Sequence, residues 1–442
     1  MSFAILIIAG LIVPIFYKRN IIVAKIITAV AFALSIIMIM SGHDLSEYFK
    51  YFSSDDSIRL MEYVTLVTLF AVSVSLTGFE RPMLSQMLFI GGLSLGILET
   101  NNMFVFIVLF EAIAIVSYVL AANIRNYYNA EGAIKTFIAG AVAGGVILLG
   151  FAIFTVVTPT FDYATMDSNS KYALVAAAIM LAGIFYKLTI VPMHGWASDA
   201  YSQINHAVAA ILSGLIKSVI LVAVFNAFSP FFKSFPSVSV VIFSFFAIVT
   251  MTLANFMALW QKRVSKVLAY SSIAHSGYAL IPFAAIASKY AYSGVLYYAI
   301  AYIFMQTAVF MVLNGLRKEL GIKYIEDLKG LGKRSGVYAF FFTAQLFSLA
   351  GIPLLAGFLS KAVAFYAGVD AGLWPLVLVA LLNSALAVAY YAWLIKFIYF
   401  DAPTEEKTAT ISTGALIGQT ILLAGTIYFG IVAGQIIQVA LN

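Results

Sequence analysis

Apolar runs of about twenty residues recur from one end of this chain to the other, and the charged residues are confined to short gaps between them. About twenty residues is what a helix needs to cross the hydrocarbon of a bilayer at roughly 1.5 Å per residue. Lipid offers the backbone no hydrogen-bond partner, so runs of this length must satisfy their amides internally as helices. Alternating apolar and polar residues, the mark of a barrel strand, are not the pattern here. Composition agrees: 63% of the 442 residues are hydrophobic and 10% are charged, with a mean hydropathy of +1.01. The expectation is an all-α polytopic membrane protein.

The pattern predicts about fourteen transmembrane helices, at 2–17, 20–41, 58–78, 82–99, 102–123, 130–157, 172–192, 203–228, 236–259, 264–287, 290–316, 336–368, 373–399 and 411–440. The first segment, Phe3 to Phe16, lacks a basic leader and a small-residue cleavage site, so it reads as a retained span. One set of alternate loops holds Lys18, Arg19, Lys25, Arg81, Arg125, Lys262, Arg263, Lys266, Arg317, Lys318, Lys323, Lys329, Lys333, Arg334 and Lys407, with Lys396 close by. The other set holds Lys50, Arg59, Lys171, Lys233 and Lys289, beside Asp44, Asp55, Asp56, Asp162, Asp167 and Asp370. The basic side is expected to be cytoplasmic, with both termini outside. This asymmetry also accounts for the net charge of +6 without nucleic acid as a partner. The chain has no cysteine, which excludes a disulfide framework, a thiol-ligated cluster and a Cys nucleophile, and its four scattered histidines have no metal-site spacing. No metal or cofactor is expected, and no nucleotide loop is present, so the chain should not perform redox chemistry alone.

Two spans look broken. Pro192 ends the seventh and Pro353 lies inside the twelfth, in SLAGIPLLAGFLSK beside Gly351, Gly357 and Ser360. A proline in a helix frees the carbonyl one turn earlier, which water or a neighbour must satisfy. The breaks fall five spans apart, which predicts two inverted five-helix repeats in a single membrane domain with the working site near the midplane. That divides the chain into N-terminal helices 1–3 (about 1–80), a first repeat of helices 4–8 (82–228), a second repeat of helices 9–13 (236–400) and helix 14 (411–442).

Charges inside apolar spans are the candidate functional residues, since one near a bilayer centre costs roughly 2.5–3.5 kcal/mol on insertion scales. Glu111 sits mid-span in the fifth helix, too deep to snorkel. Lys187 and Lys217 lie thirty residues apart on consecutive spans, and Lys361 follows the second break. Burial favours the neutral amine and a nearby carboxylate favours the ammonium, so such groups can pass a proton. Lys135, close to the start of the sixth span, either snorkels or acts beside Glu111. His275 is central in the tenth span and could relay a proton along Ser271, Ser272 and Tyr278, or serve as hydrogen-bonded glue. His194 and His206 border the first break as caps or water ligands, and His43 is a loop residue with no assigned role.

The stretch FYKLTIVPMHGWASDAYSQ has a lysine five residues before Pro192 and then His194, Trp196 and Asp199. It resembles the proton-conducting antiporter-like subunits of respiratory complex I, a family that includes membrane-bound hydrogenases, membrane-bound sulfane reductases and multi-subunit cation/proton antiporters. SKVLAYSSIAHSGY, LAGIPLLAGFLSK, NNMFVFIVLFEAIAIVSYVL and EGAIKTFIAGAVAGGVILLG resemble further signatures, in order, over roughly residues 95–400. The resemblance implies a proton path through Glu111, Lys187, Lys217 and Lys361, supported by Lys135, His275, His194, His206 and Asp199. Lysines at 361 and 135 and the absence of a long C-terminal extension look most like the complex I subunit nearest the connecting arm. Relatives usually carry proline in place of Ser198 and near Asn205 and His206, where this chain has none. The implied function is proton translocation, with Na⁺/H⁺ exchange as the variant, within a membrane-bound respiratory redox complex of a prokaryotic cytoplasmic membrane. Implied partners are antiporter-like paralogues, other membrane subunits, a redox arm and lipid. The alternative is a subunit of a multi-subunit Na⁺/H⁺ antiporter without a redox partner.

Overall fold

Helix starts follow the short polar residues that break the apolar runs. In the computed structural model, which describes residues 2–17, 20–41, 50–76, 83–122, 127–403 and 407–441, Asn20, Asp55, Asn102, Ser170 and Ser412 each accept a hydrogen bond from the first turn of the helix they precede. Lys18, Arg19, His43, Asp44, Arg81 and Arg125 lie outside the described residues. The chain runs through α1 (Ser2–Tyr17), α2 (Ile21–Met40), α3 (Asp56–Ser75), α4 (Met83–Glu99), α5 (Met103–Ala121), α6 (Tyr127–Val157) and α7 (Lys171–Lys187). After the first break come α8 (Gly195–Gln203), α9 (His206–Ala210), a π-helical turn (Ile211–Ile216) and α10 (Lys217–Ser234). Then follow α11 (Pro236–Leu259), α12 (Val264–Ala279), the single turn α13 (Ile281–Ala284) and α14 (Ala291–Leu320). A short turn, α15 (Leu331–Arg334), precedes α16 (Gly336–Ala350) and α17 (Ala356–Asp370), and α18 (Trp374–Tyr399), α19 (Thr413–Ile431) and α20 (Ala433–Leu441) complete the chain.

Among the described residues nine helices are long and apolar enough to cross a membrane, and α1, α4 and α16 are shorter apolar helices. The differences from the expected spans have local causes. The span expected at 336–368 is two helices, because Gly351 takes a left-handed φ of +91° that ends α16 and Pro353 follows. The polar passage after Pro192 is helical as α8, and the span expected at 203–228 continues to Ser234 after its π turn. The final span divides at Val432 into α19 and α20.

The apolar stretches of α14 and of the α9–α10 unit are wholly buried, so these form the centre of the bundle. Around them the outer helices expose an apolar face, with Leu11 on α1, Val142 on α6, Val241 on α11 and Leu382 on α18, which is the surface a bilayer covers. The loops sort into two ends. At one, Val264 N donates to Lys323 O, Ile325 N to Lys262 O, Gly330 N to Phe397 O and Arg334 Nε to Lys407 O. At the other, Asn101 N donates to Tyr51 O, Tyr163 N to Asn101 O, and Ser288 Oγ to Asp370. These are the groupings that the alternation of basic and acidic loops anticipates.

Glycine lets α6 and α7 approach backbone to backbone, as small residues do between helices in lipid. A Cβ at Gly183 would lie 2.6 Å from the Ala143 carbonyl and 2.5 Å from Ile147 Cγ1, whereas one at Gly145 would meet nothing. Gly183→Ala is therefore expected to destabilise the protein by about 1–3 kcal/mol and Gly145→Ala to leave it unchanged or better. Thermal unfolding of the purified protein in detergent checks this, and equal melting of the two variants would refute the close approach.

Candidate functional site

Helix α7 stops at Lys187 because its continuation cannot hold the helical path. Thr189 adopts a left-handed φ of 57° and Pro192 follows, and a left-handed non-glycine residue costs roughly 1–2 kcal/mol. The freed end of the helix is closed locally: Tyr186 O accepts from Thr189 N and from the Trp196 indole at 3.1 Å, and Val191 N donates to Thr250 Oγ1 on α11. The Lys187 amine turns away from this end to α5, donating to Ser117 Oγ at 3.2 Å and lying 5.5 Å from the centre of the Tyr118 ring. Glu111 is on the same helix. Its carboxylate faces Gly144 of α6, where a Cβ would stand 3.1 Å from both oxygens, and Oε1 is buried without a hydrogen-bond partner. The two charges act on each other electrostatically but make no ion pair.

Lys217 opens α10 immediately after the π turn. An ammonium has three protons to donate, and Lys217 meets Thr189 Oγ1 at 2.8 Å, Ser272 Oγ at 2.7 Å and Ser272 O at 3.1 Å. Ser272 Oγ also accepts from Tyr302 OH at 2.8 Å, and the Tyr302 ring stacks on His275 with centroids 5.3 Å apart. His275 Nδ1 is hydrogen-bonded to Tyr298 OH at 2.7 Å, while its Nε2 is buried without a partner. A cavity of about 10 Å³ between Lys217, His275, Tyr298 and Tyr302 is close to the room one water needs.

At the second break Pro353 removes the donor that would have served the Leu349 carbonyl, four residues earlier. Lys361 supplies it. Its amine donates to Leu349 O at 3.0 Å, Ala350 O at 3.2 Å and Ser384 Oγ of α18 at 3.1 Å, and lies 5.3 Å from the centre of the Tyr278 ring. Both carbonyls end α16, where the helix dipole favours positive charge. The Leu349 carbonyl also lies beside the His275 ring, so one backbone oxygen joins the surroundings of His275 and Lys361.

The structure thus brings Lys187, Lys217, His275 and Lys361 into one buried belt across α5, α7, α10, α12 and α17. The row expected around His275 divides. Ser272 serves Lys217, whereas Ser271 hydrogen-bonds Tyr391 at 2.5 Å and Tyr278 OH accepts from Asn255 Nδ2 at 2.9 Å. Asn255 also donates to Asn383 Oδ1 at 3.1 Å and accepts from Tyr390 OH at 3.1 Å. Sequence reasoning missed Thr189, Asn255, Asn383, Tyr390 and Tyr391, which are neutral and leave no charge signal.

Lys135 does not act beside Glu111. It pairs with Glu131 at 2.8 Å and Asp199 at 3.0 Å, and Lys266 reaches Asp199 at 3.2 Å. The reason is depth: Glu111 faces Gly144, nine residues and about 13 Å farther along α6. His194 occupies the N-cap position of α8 without making the capping hydrogen bond, and Nε2 of His206 accepts from Arg317 at 3.2 Å. Asp199 therefore joins α6, α8 and α12 at a half-exposed site, where each pair contributes up to about 1 kcal/mol and is screened by salt. Asp199→Asn is expected to lower thermal stability by about 1 kcal/mol in dilute buffer, with the difference shrinking in high salt. A loss that salt leaves untouched would contradict this.

The family model described as NADH:quinone oxidoreductase/Mrp antiporter, TM, matches residues 100–387. The F(420)H(2) dehydrogenase subunit N of Methanosarcina mazei is 31% identical over 362 residues, covering 78% of this chain and 73% of that protein. An NADH-quinone oxidoreductase subunit N of Flavobacterium johnsoniae is 31% identical over 368 residues, 78% of each chain. The solved Mrp complex of Dietzia sp. DQ12-45-1b contains a chain of the same fold, with a TM-score of 0.87 and 19% identity, covering 99% of this chain and 94% of the other. With the match spanning both helix breaks and all four intramembrane candidates, the chain belongs to the NADH:quinone oxidoreductase/Mrp antiporter transmembrane family.

Proposed function

We propose that this chain is the proton-translocating, antiporter-like subunit of a membrane-bound redox complex, with electron transfer carried by other subunits. The observation that carries the reading is the belt of buried lysines held by hydroxyls and carbonyls, with no ion pair to a carboxylate among the described residues. An amine held by neutral dipoles can exist in either protonation state. It carries a proton and repels a sodium ion, which favours H⁺ as the translocated species. The route runs from Lys187, biased by Glu111, to Lys217, then past His275 to Lys361.

The relatives at 31% identity are named as subunits of an F420H2 dehydrogenase and an NADH-quinone oxidoreductase, which supports a redox partner. The fold shared with the Mrp complex also suits a subunit of a multi-subunit Na⁺/H⁺ antiporter without a redox partner. The proteins that purify with the chain separate the two: hydrogenase-like or iron–sulfur subunits support the first reading, and small membrane proteins alone support the second. Two inverted repeats, residues 82–228 and 236–400, fit the two proline breaks and their lysines. The basic loop end is assigned to the cytoplasm of a prokaryotic cell, with both termini outside.

Lys217→Ala and Lys361→Ala, each made in the intact complex and reconstituted in vesicles, test the route. Removing an amine restores a charge-transfer barrier of about 2.5–3.5 kcal/mol, so proton transport by this subunit should fall about a hundredfold. Electron transfer in uncoupled vesicles should persist. Unchanged proton transport in both variants would eliminate the relay.

A further inference from the structure

Away from the lysine belt, a crevice of about 50 Å³ opens between α3, α14, α16 and α19 at the end of the bundle that carries Arg317 and Lys318. Apolar and polar side chains share its lining, the polar ones including Asn314, Lys318, Glu319, Tyr338, Ser75 and Gln419. Glu319 at the mouth is exposed and acts electrostatically on Tyr338. Gln419, only 2% exposed, donates to Ala308 O, and its Oε1 has no partner.

The same strip continues inward. Thr426 lies seven residues beyond Gln419 on the buried face of α19, about 10 Å deeper, and donates to Gln345 Oε1 on α16 at 3.1 Å. Gln345 is fully buried, and its Nε2 has no partner. One turn further along α16 is Leu349, whose carbonyl holds Lys361. Unpartnered buried amide atoms at two depths, on facing helices, need a donor and an acceptor that the protein does not supply. Water supplies either role, and at Gln419 the crevice exceeds the roughly 10–15 Å³ that one water requires.

We propose that this crevice is the mouth of a second proton inlet, which runs from Glu319 past Gln419 and the Thr426–Gln345 pair to Lys361. It rests on the relay reading above and alters it in one respect. Lys361 is loaded from the basic end of the bundle along α14, α16 and α19, the last of which lies outside both repeats, and each turnover needs this input together with the one from Lys217.

Because the chain contains no cysteine, single cysteines report water directly. Gln419→Cys, Thr426→Cys and, as a lipid-facing control, Leu382→Cys are made in the intact complex. Inverted vesicles are exposed to silver ion, and the thiols left free are counted by mass after denaturation. Protection of the first two from the cytoplasmic side, with the control remaining free, is expected. A Thr426→Cys thiol that stays free while Gln419→Cys is protected places the floor of the crevice between these two residues and overturns the inlet, as does freedom of both. Gln345→Leu should slow proton transport about tenfold, the scale of one lost hydrogen-bonded step, with Gln345→Glu restoring it. Normal transport in Gln345→Leu beside loss in Lys217→Ala removes the inlet and leaves the relay standing. Normal transport in Gln345→Leu, Lys217→Ala and Lys361→Ala together removes both, whatever the silver reports.

Discussion

A lysine amine taken out of water needs three acceptors, and a helix interrupted inside a bilayer leaves carbonyls that need donors. At the second break the two demands cancel. Pro353 deprives the Leu349 carbonyl of its amide, and Lys361 replaces that amide with a charged donor at 3.0 Å. An unmet carbonyl or a bare ammonium in hydrocarbon would each cost several kcal/mol. Break and lysine are therefore a single device, and neither could be removed without leaving the other unsatisfied. The first break works differently. Its own amides and Trp196 close the helix end, and the residue that matters is Thr189, whose left-handed backbone brings a hydroxyl within 2.8 Å of Lys217.

The remaining architecture fixes this belt in place. Helix α14, buried throughout its apolar stretch, contributes Tyr298 and Tyr302, whose hydroxyls bond His275 and Ser272 and which line the small cavity beside Lys217. Tyrosine suits this position because it pairs a large apolar face with one polar tip. Behind it, Asn255 ties α11 to α12 and α18 through Tyr278, Asn383 and Tyr390, so the second break is braced by a network in which every Asn255 side-chain atom that can bond does so. Such networks specify a unique arrangement when complete.

The helices, the breaks and the lysines were legible in the sequence for one reason: charge and proline are rare in apolar spans, so each occurrence stands out. Lys217, with about a dozen apolar or small residues on either side, could hardly be read otherwise. The acceptors were not legible, because a serine, threonine or asparagine in a transmembrane helix more often bonds its own preceding turn, as Ser117 Oγ does to Ile113 O. Nothing in Thr189 announces a left-handed backbone. Lys135 stands between two readings in the sequence for a related reason: one partner, Glu131, is four residues before it, but the other, Asp199, is 64 residues away, and only the packing of α8 against α6 brings that pair together.

The three lysines are unequally held, and in the proposed route that inequality matters more than their number. Lys187 has one hydroxyl and a carboxylate that it does not touch, Lys217 has two hydroxyls and a carbonyl, and Lys361 has two carbonyls at a helix C-terminus and a hydroxyl. Moving one charge against 100 mV costs about 2.3 kcal/mol, and a single hydrogen bond to a charged group contributes about 1.5–3 kcal/mol. One bond made or broken is therefore enough to reverse the order in which neighbouring amines hold a proton. Glu111 Oε1, unpartnered against Gly144, and His275 Nε2 are the buried atoms around these lysines with a bond still to make, and of the two only the carboxylate is beside Lys187. A shift of that carboxylate onto Lys187 would change the balance by the amount the membrane potential demands, without any large movement of the helices.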